Sequence, residues 1–202
     1  MKVSNMKNIF LDSINVKKEI VQGDHLRILA SMGDEIVIAI KNGNKLMLCG
    51  NGGSAADAQH LAAEMLVRLR PQNNREGIPA IALAQDTSTI TACGNDFGYD
   101  ALFERMIYSL GQTGDILIAI TTSGNSENVI RAMKAAKDAK IKVFGFLGCK
   151  GGKAIDICDE AFVVPSNNTG RIQESHITAG HALMEYVEDQ LIDDGYLNLE
   201  QK

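Results

Sequence analysis

The chain has 202 residues, 45% of them hydrophobic and 22% charged, with a formal net charge of −5. That is enough apolar material for a core of ordinary size, which excludes a disordered chain. A negative balance without any Lys/Arg-rich run argues against nucleic acid as a partner, because affinity for a phosphate polymer comes from clustered cations. An anionic ligand should therefore be small and held locally.

Cys49, Cys93, Cys149 and Cys158 are widely spaced and form neither a C-x-x-C nor a paired zinc-knuckle pattern, so they read as reduced core thiols. The opening Met1-Lys2-Val3-Ser4-Asn5 lacks the apolar stretch of a signal peptide, and no run approaches the length of a membrane span. The expected location is cytoplasmic, with no membrane partner.

In chain order, Ile9, Phe10 and Ile14, then Leu26, Leu29, Met32, Ile36, Val37 and Ile40, recur at three- and four-residue steps. This spacing predicts two helices between residues 5 and 42, broken at Gly23-Asp24. Lys45-Leu46-Met47-Leu48-Cys49 is an apolar run of strand length, followed by the glycines of GNGGS and an alanine-rich helix to about Arg70. Further strands are predicted at Ala80–Leu83, Asp115–Ile120 with a helix from Ser126, Lys142–Leu147 with a helix after Gly151-Gly152, and Ala161–Val164. A closing helix runs from about Gly170 to Asp193.

Strands this apolar are covered on both faces, and their alternation with helices predicts a parallel sheet. The expected fold class is α/β: a doubly wound three-layer sandwich with about five central parallel strands, plus N-terminal helices. The proline-bounded stretch Pro71–Pro79 is too short to separate domains. A single domain over 1–202 is expected, with helices in 1–42 and an α/β core in 43–195.

In an open α/β sheet, ligands gather beyond the carboxyl ends of the strands. Three loops there look alike: Gly50-Asn51-Gly52-Gly53-Ser54, Thr121-Thr122-Ser123-Gly124-Asn125-Ser126, and Gly148-Cys149-Lys150-Gly151-Gly152. Glycines let the backbone approach an anion, and helix N-termini offer unpaired N–H groups. The four hydroxyls of Thr121–Ser126 suit a phosphate monoester, although Ser123 or Ser126 as a plain helix cap would explain them as well. Neither a P-loop nor G-x-G-x-x-G is present, which disfavours a nucleoside triphosphatase or a dinucleotide dehydrogenase.

His60 and Glu64 stand four residues apart, on one face of the alanine-rich helix, a spacing that suits two metal ligands, an acid/base pair or a simple surface hydrogen bond. In the last helix, Gln173 and His181 are separated by a rise of about 12 Å, and geometry does not choose between His176 and His181. Asn95 and Asp96, in the polar stretch Gly94–Tyr99, could hydrogen-bond sugar hydroxyls, or Asp96 could cap a helix starting near Tyr99.

Taken together, CGNGGSAADAQHLAAE, CGNDFGY, ITTSGNSENV and RIQESHITAGH resemble the bacterial phosphoheptose isomerase family of the sugar-isomerase (SIS) fold, from about Lys45 to Asp193. The resemblance implies that Asn51, Gly52, Gly53 and Ser54, with Asn95 and Asp96, contact a sugar phosphate whose phosphate is held by Thr121, Thr122, Ser123 and Ser126. It implies a zinc ion (Zn2+) on His60, Glu64, Gln173 and His181, of which Glu64 and Gln173 also meet substrate, and Glu64 with His181 as the acid/base pair. It implies a homotetramer with active sites between subunits, and conversion of sedoheptulose 7-phosphate to D-glycero-D-manno-heptose 7-phosphate for bacterial surface heptose. One departure is Gly170, where some members carry aspartate. The alternatives are isomerisation of another sugar phosphate, or the non-catalytic branch that binds the bacterial replication initiator, which lacks acid/base side chains at the positions of Glu64 and His181.

Overall fold

The computed structural model describes residues 3–83 and 86–199. Met1 and Lys2, which open the stretch expected to hold no leader, lie outside the described residues. Among the described residues, seven α-helices and five strands succeed one another as α1 Val3–Gln22, α2 His25–Lys41, β1 Leu46–Gly50, α3 Gly53–Leu66, β2 Ala80–Ala82, α4 Thr87–Asp96, α5 Leu102–Leu110, β3 Ile116–Thr121, α6 Glu127–Asp138, β4 Lys142–Gly148, β5 Glu160–Val164 and α7 Thr169–Asp193.

The strands form one sheet in the order β2-β1-β3-β4-β5, and every pairing is parallel. Because successive strand residues point to opposite faces, each strand feeds two cores. Leu46, Leu48, Ile116, Ile118, Phe144, Phe146 and Phe162 pack with α2, α3 and α7 on one face. Met47, Cys49, Leu117, Ala119 and Val143 pack with α5 and α6 on the other. Phe144, Phe146 and Phe162 are fully buried, and truncating one of them to alanine would cost about 3–5 kcal/mol. The expected three-layer α/β sandwich with five parallel strands and added N-terminal helices is the observed fold.

The strands run from a rim braced by Asp115 to a rim of loops. Asp115 is wholly buried and accepts hydrogen bonds from the backbone N–H groups of Lys45 (3.0 Å) and Gln112 (2.8 Å) while pairing with Lys45 Nζ at 2.5 Å. It thereby ties the entry of β1 to the entry of β3. At the other rim β1 lies between β2 and β3, so the chain leaves β1 toward one neighbour and returns on the other, the switch point at which open α/β sheets bind ligands.

Several local expectations are corrected. No α-helix forms after Gly151-Gly152: only a single 3-10 turn, Gly152–Ala154, is present there, because Cys149, Gly151 and Gly152 all take positive φ and cannot continue a right-handed helix. The alanine-rich helix ends at Leu66 rather than near Arg70, since the chain doubles back and Ile78 N–H bonds the Met65 carbonyl at 2.9 Å. Two helices, α4 and α5, occupy a stretch in which the sequence pattern marked only a helix near Tyr99. Asp96 ends α4 and caps no helix, and Gly98 precedes the short 3-10 turn Tyr99–Ala101. Of the four thiols, all free, Cys49 and Cys93 are buried but Cys149 is exposed, so it is no core residue.

Candidate active site

His60, on the third turn of α3, meets His181 of α7 with their Nε2 atoms 2.8 Å apart, across 121 positions of sequence. Glu64 Oε1 lies 3.4 Å from the same His60 nitrogen. The two helices approach this closely because Gly180 carries no side chain: a Cβ there would stand 2.5 Å from Leu61 Cδ1. Leu61 and Gly180 are the sequence neighbours of the two histidines, so the packing contact sets the polar one.

Gln173, two turns before His181, is aimed at the glycine loop. A Cβ built on Gly53 would lie 2.5 Å from Gln173 Nε2, so this amide occupies the space a larger residue would need. Thus α7 reaches α3 at two heights, with Gln173 over the start of the helix and His181 over its middle. The two histidines of the last helix lie in different surroundings, His181 against His60 and His176 in the core. His176 is buried in the core, bonded through Nε2 to the Leu147 carbonyl at 3.0 Å, and burial pushes its pKa down to about 4.

The glycine loop and the hydroxyl loop lie side by side, because β1 and β3 are paired through Gly50 and Ile120. Asn51 and Asn128 bridge them by reciprocal amide hydrogen bonds of 2.8 and 2.9 Å, and Tyr99 Oη donates to Asn51 Oδ1 at 2.8 Å. Gly52 takes φ 57° at the entry to α3, and Ser54 N–H returns to the Asn51 carbonyl at 3.0 Å, with the Ser54 side chain buried. In the hydroxyl loop, Thr121 Oγ1 and Ser126 Oγ are 3.1 Å apart, while Ser123 Oγ accepts from Asn125 N–H at 3.1 Å. Ser126 occupies the cap position of α6 but makes no side-chain cap bond, so helix capping does not account for its hydroxyl. Thr122 lies between these, half-buried.

Asn95 and Asp96 stand exposed at the end of α4, with Asn95 Nδ2 donating to Asp96 Oδ1 at 2.7 Å. Asp96 lines a cavity of about 390 Å³ together with Phe97 and Arg105. The residue of that stretch that hydrogen-bonds the glycine loop is Tyr99.

Asp57, Asn128 and Tyr99 were not among the residues expected at the site. Asp57 precedes His60 by three and Glu64 by seven, a one-face spacing that the sequence did display. Burial raises its carboxyl pKa, and the nearby His60 and His181 pull it back. Its Oδ2 is buried with no hydrogen-bond partner among the described residues. Asn128 had no such signal, because it acts from the far side of the hydroxyl loop.

Two imidazole nitrogens and a carboxylate oxygen that converge this way form a donor set borderline cations accept. Among the described residues, no group of three or more His, Cys, Asp or Glu side chains stands ready as a metal cage. Two nitrogens sharing a tetrahedral zinc at about 2.0–2.1 Å lie about 3.4 Å apart, so the histidines would have to part by about 0.6 Å. At 48% exposure the His60 side chain is free to move that far.

Comparison with known proteins places this arrangement. Residues 10–148 match the SIS domain family. A curated phosphoheptose isomerase from Aquifex aeolicus is 47% identical over 191 residues, covering 95% of this chain and 98% of that one. The solved structure of the phosphoheptose isomerase from Neisseria gonorrhoeae superposes with a TM-score of 0.86 at 38% identity, covering 92% and 98% of the two chains. The one from Francisella tularensis gives 0.89 at 35% identity, covering 94% and 100%. With a parallel sheet in this order, the glycine and hydroxyl loops at its carboxyl rim, and likeness along nearly its whole length, the chain belongs to the SIS domain family, within its phosphoheptose isomerases.

Proposed function

We propose that the protein isomerises sedoheptulose 7-phosphate to D-glycero-D-manno-heptose 7-phosphate, for bacterial surface heptose. The observation that carries this reading is that His60 meets both His181, at 2.8 Å, and Glu64, at 3.4 Å, which gathers the proposed acid and base around one imidazole, in a chain 47% identical to a phosphoheptose isomerase. Ketose-to-aldose conversion needs a base for the proton on C1, an acid for the oxygen on C2, and the reverse transfers to finish. Glu64 takes the C1 proton and returns it at C2. His181 gives a proton to the C2 oxygen and accepts one from the C1 hydroxyl. Thr121, Thr122, Ser123 and Ser126 hold the phosphate, assisted by the N-terminus of α6. Asn51, Gly52, Gly53, Ser54, Asn95, Asp96 and Gln173 orient the sugar.

His60, Glu64, Gln173 and His181 would hold zinc. When bound, it supplies Lewis-acid polarisation of the two substrate oxygens. Removal by a chelator should abolish turnover, and zinc should restore it.

The working unit is a homotetramer with sites between subunits. In support, α1 buries only Ile20 of its own length and leaves Val3, Met6, Ile9, Phe10, Leu11, Ile14 and Val21 exposed, more apolar surface than an isolated helix usually shows. Light scattering behind gel filtration tests this. Four free thiols support a reducing, cytoplasmic location, and no helix among the described residues is long and apolar enough to cross a membrane.

The decisive experiment incubates the purified protein in D2O with sedoheptulose 7-phosphate, fructose 6-phosphate or ribulose 5-phosphate and follows C1 and C2 by NMR. Deuterium incorporation and aldose formation from the heptulose alone is the expected result. No exchange with the heptulose would refute the proposal. Glu64→Gln should abolish exchange while leaving substrate binding largely intact.

A further inference from the structure

Between the α3–β2 connection and α7 lies a buried ion pair that the chemistry above leaves unused. Arg75 and Glu188 have side chains only 1% and 2% exposed, and Arg75 Nε donates to Glu188 Oε1 at 2.5 Å. The other carboxylate oxygen accepts from Arg70 Nε at 2.6 Å and from Asn73 Nδ2 at 2.8 Å. Burial alone would raise the Glu188 pKa, but the hydrogen bonds from Arg75, Asn73 and Arg70 prevail and hold it below its ordinary value.

The rest of the Arg75 guanidinium serves the backbone of α3. Its Nη2 donates to the carbonyl of Glu64 at 3.0 Å, and its Nη1 to the carbonyls of Met65 at 3.0 Å and Glu76 at 2.9 Å. The last four carbonyls of a helix have no partner within it, and in a helix ending at Leu66 those of Glu64 and Met65 are among them. Glu188 stands on α7 seven residues after His181, two turns along the same stripe. One planar cation therefore grips the backbone of Glu64 with one edge and the helix of His181 with the other.

We propose that Arg75, held by Glu188, is a positioning residue for the Glu64–His181 pair, fixing the last turn of α3 against α7. This rests on Glu64 and His181 being the acid/base pair. The geometry requires arginine: its donors lie in a rigid planar fork, whereas a lysine ammonium is a point on a flexible stem and cannot span the carboxylate and both carbonyls. Stability alone does not require the pair, since a buried ion pair is commonly replaced by apolar residues of similar volume without loss. Placement does, because a shift of about 1 Å in a reacting group can lower a rate by about 100-fold.

The test compares Arg75→Lys, the double variant Arg75→Met/Glu188→Met, and Glu64→Gln, all in the full chain, by thermal melting and by kcat and KM for sedoheptulose 7-phosphate. Rates are normalised to the folded fraction from circular dichroism. The expected result is that both Arg75 variants fold, with kcat lowered by about 10-fold or more and KM changed by less than about 3-fold. Wild-type kcat in either folded variant overturns the proposal, as does a fall that merely tracks loss of folded protein. If Glu64→Gln keeps normal turnover, the acid/base reading fails and takes the proposal with it. If Glu64→Gln is inactive while the Arg75 variants are fully active, the positioning role alone is refuted.

Discussion

Asn51 and Asn128 exchange hydrogen bonds in both directions between their side-chain amides, although 77 positions separate them. With Tyr99 also donating to Asn51 Oδ1, that oxygen is saturated, and only the second N–H of Asn51 is left for a ligand. Replacing Asn128 with leucine, close to it in size, frees Asn51 to rotate and leaves its amide competing for other partners. The expected outcome is a KM for sedoheptulose 7-phosphate raised by about 10-fold, equivalent to about one hydrogen bond, with a smaller change in kcat. Steady-state kinetics would check it, and an unchanged KM would remove Asn128 from the site.

Asp57 offers a second measurement. Its carboxylate sits on the same helix face as His60 and Glu64, with a buried oxygen that has no partner among the described residues. Asp57→Asn keeps the shape and removes the charge that both imidazoles attract. Turnover should fall by about 10- to 100-fold with KM little altered, within the range of a positioned charged group near a reacting centre. Normal kcat in this variant would show that the charge serves only packing.

His176 makes stability depend on pH in a definite direction. Its folded-state pKa of about 4 lies below the ordinary 6.5, chiefly because of burial. Between those values the unfolded chain binds the extra proton, so the stability that neutral His176 contributes is intact above pH 6.5 and is lost as pH falls toward 4. His176→Gln keeps a donor for the Leu147 carbonyl but does not titrate. Between pH 7 and 4.5 the wild type should lose about 2–3 kcal/mol more stability than this variant, as measured by urea denaturation. Equal losses would mean that His176 is protonated in the folded state.

Gly170 departs from the aspartate that the family resemblance leads one to expect, and a side chain fits there once Asn168 Oδ1 gives by a few tenths of an ångström. A Cβ there meets only Asn168 Oδ1, at 3.3 Å, and the residue lies in the first turn of α7. An acidic side chain at that end interacts favourably with the helix dipole, and a non-glycine residue restricts the unfolded chain. Gly170→Asp should raise stability by about 1 kcal/mol. A lowered melting temperature would show that the new carboxylate disturbs the Asn168 cap.

What the sequence disclosed obeyed the physics of repetition. The apolar runs at Leu46–Cys49, Ile116–Ile120 and Val143–Leu147 announced buried parallel strands because nothing in them alternates with polar residues. The helical spacing of His60 and Glu64 placed both on one face, and the same spacing would have admitted Asp57. By contrast, α4 was missed because it is short and carries little periodic apolar signal, with only Cys93 buried. The helix expected after Gly152 failed because three left-handed residues in four override helical composition, a property of φ that glycine permits but does not require. Arg75 and Asn128 were illegible for a common reason: each acts through a partner more than 70 positions away, and nothing local marks such pairs.

The brace at Asp115 stands at the opposite end of β3 from the hydroxyl loop. Defects in it should therefore lower the yield of folded protein while leaving each surviving molecule fully competent, and damage at the far loops should do the reverse. Robustness and chemistry in this protein can thus drift, or be engineered, along independent axes.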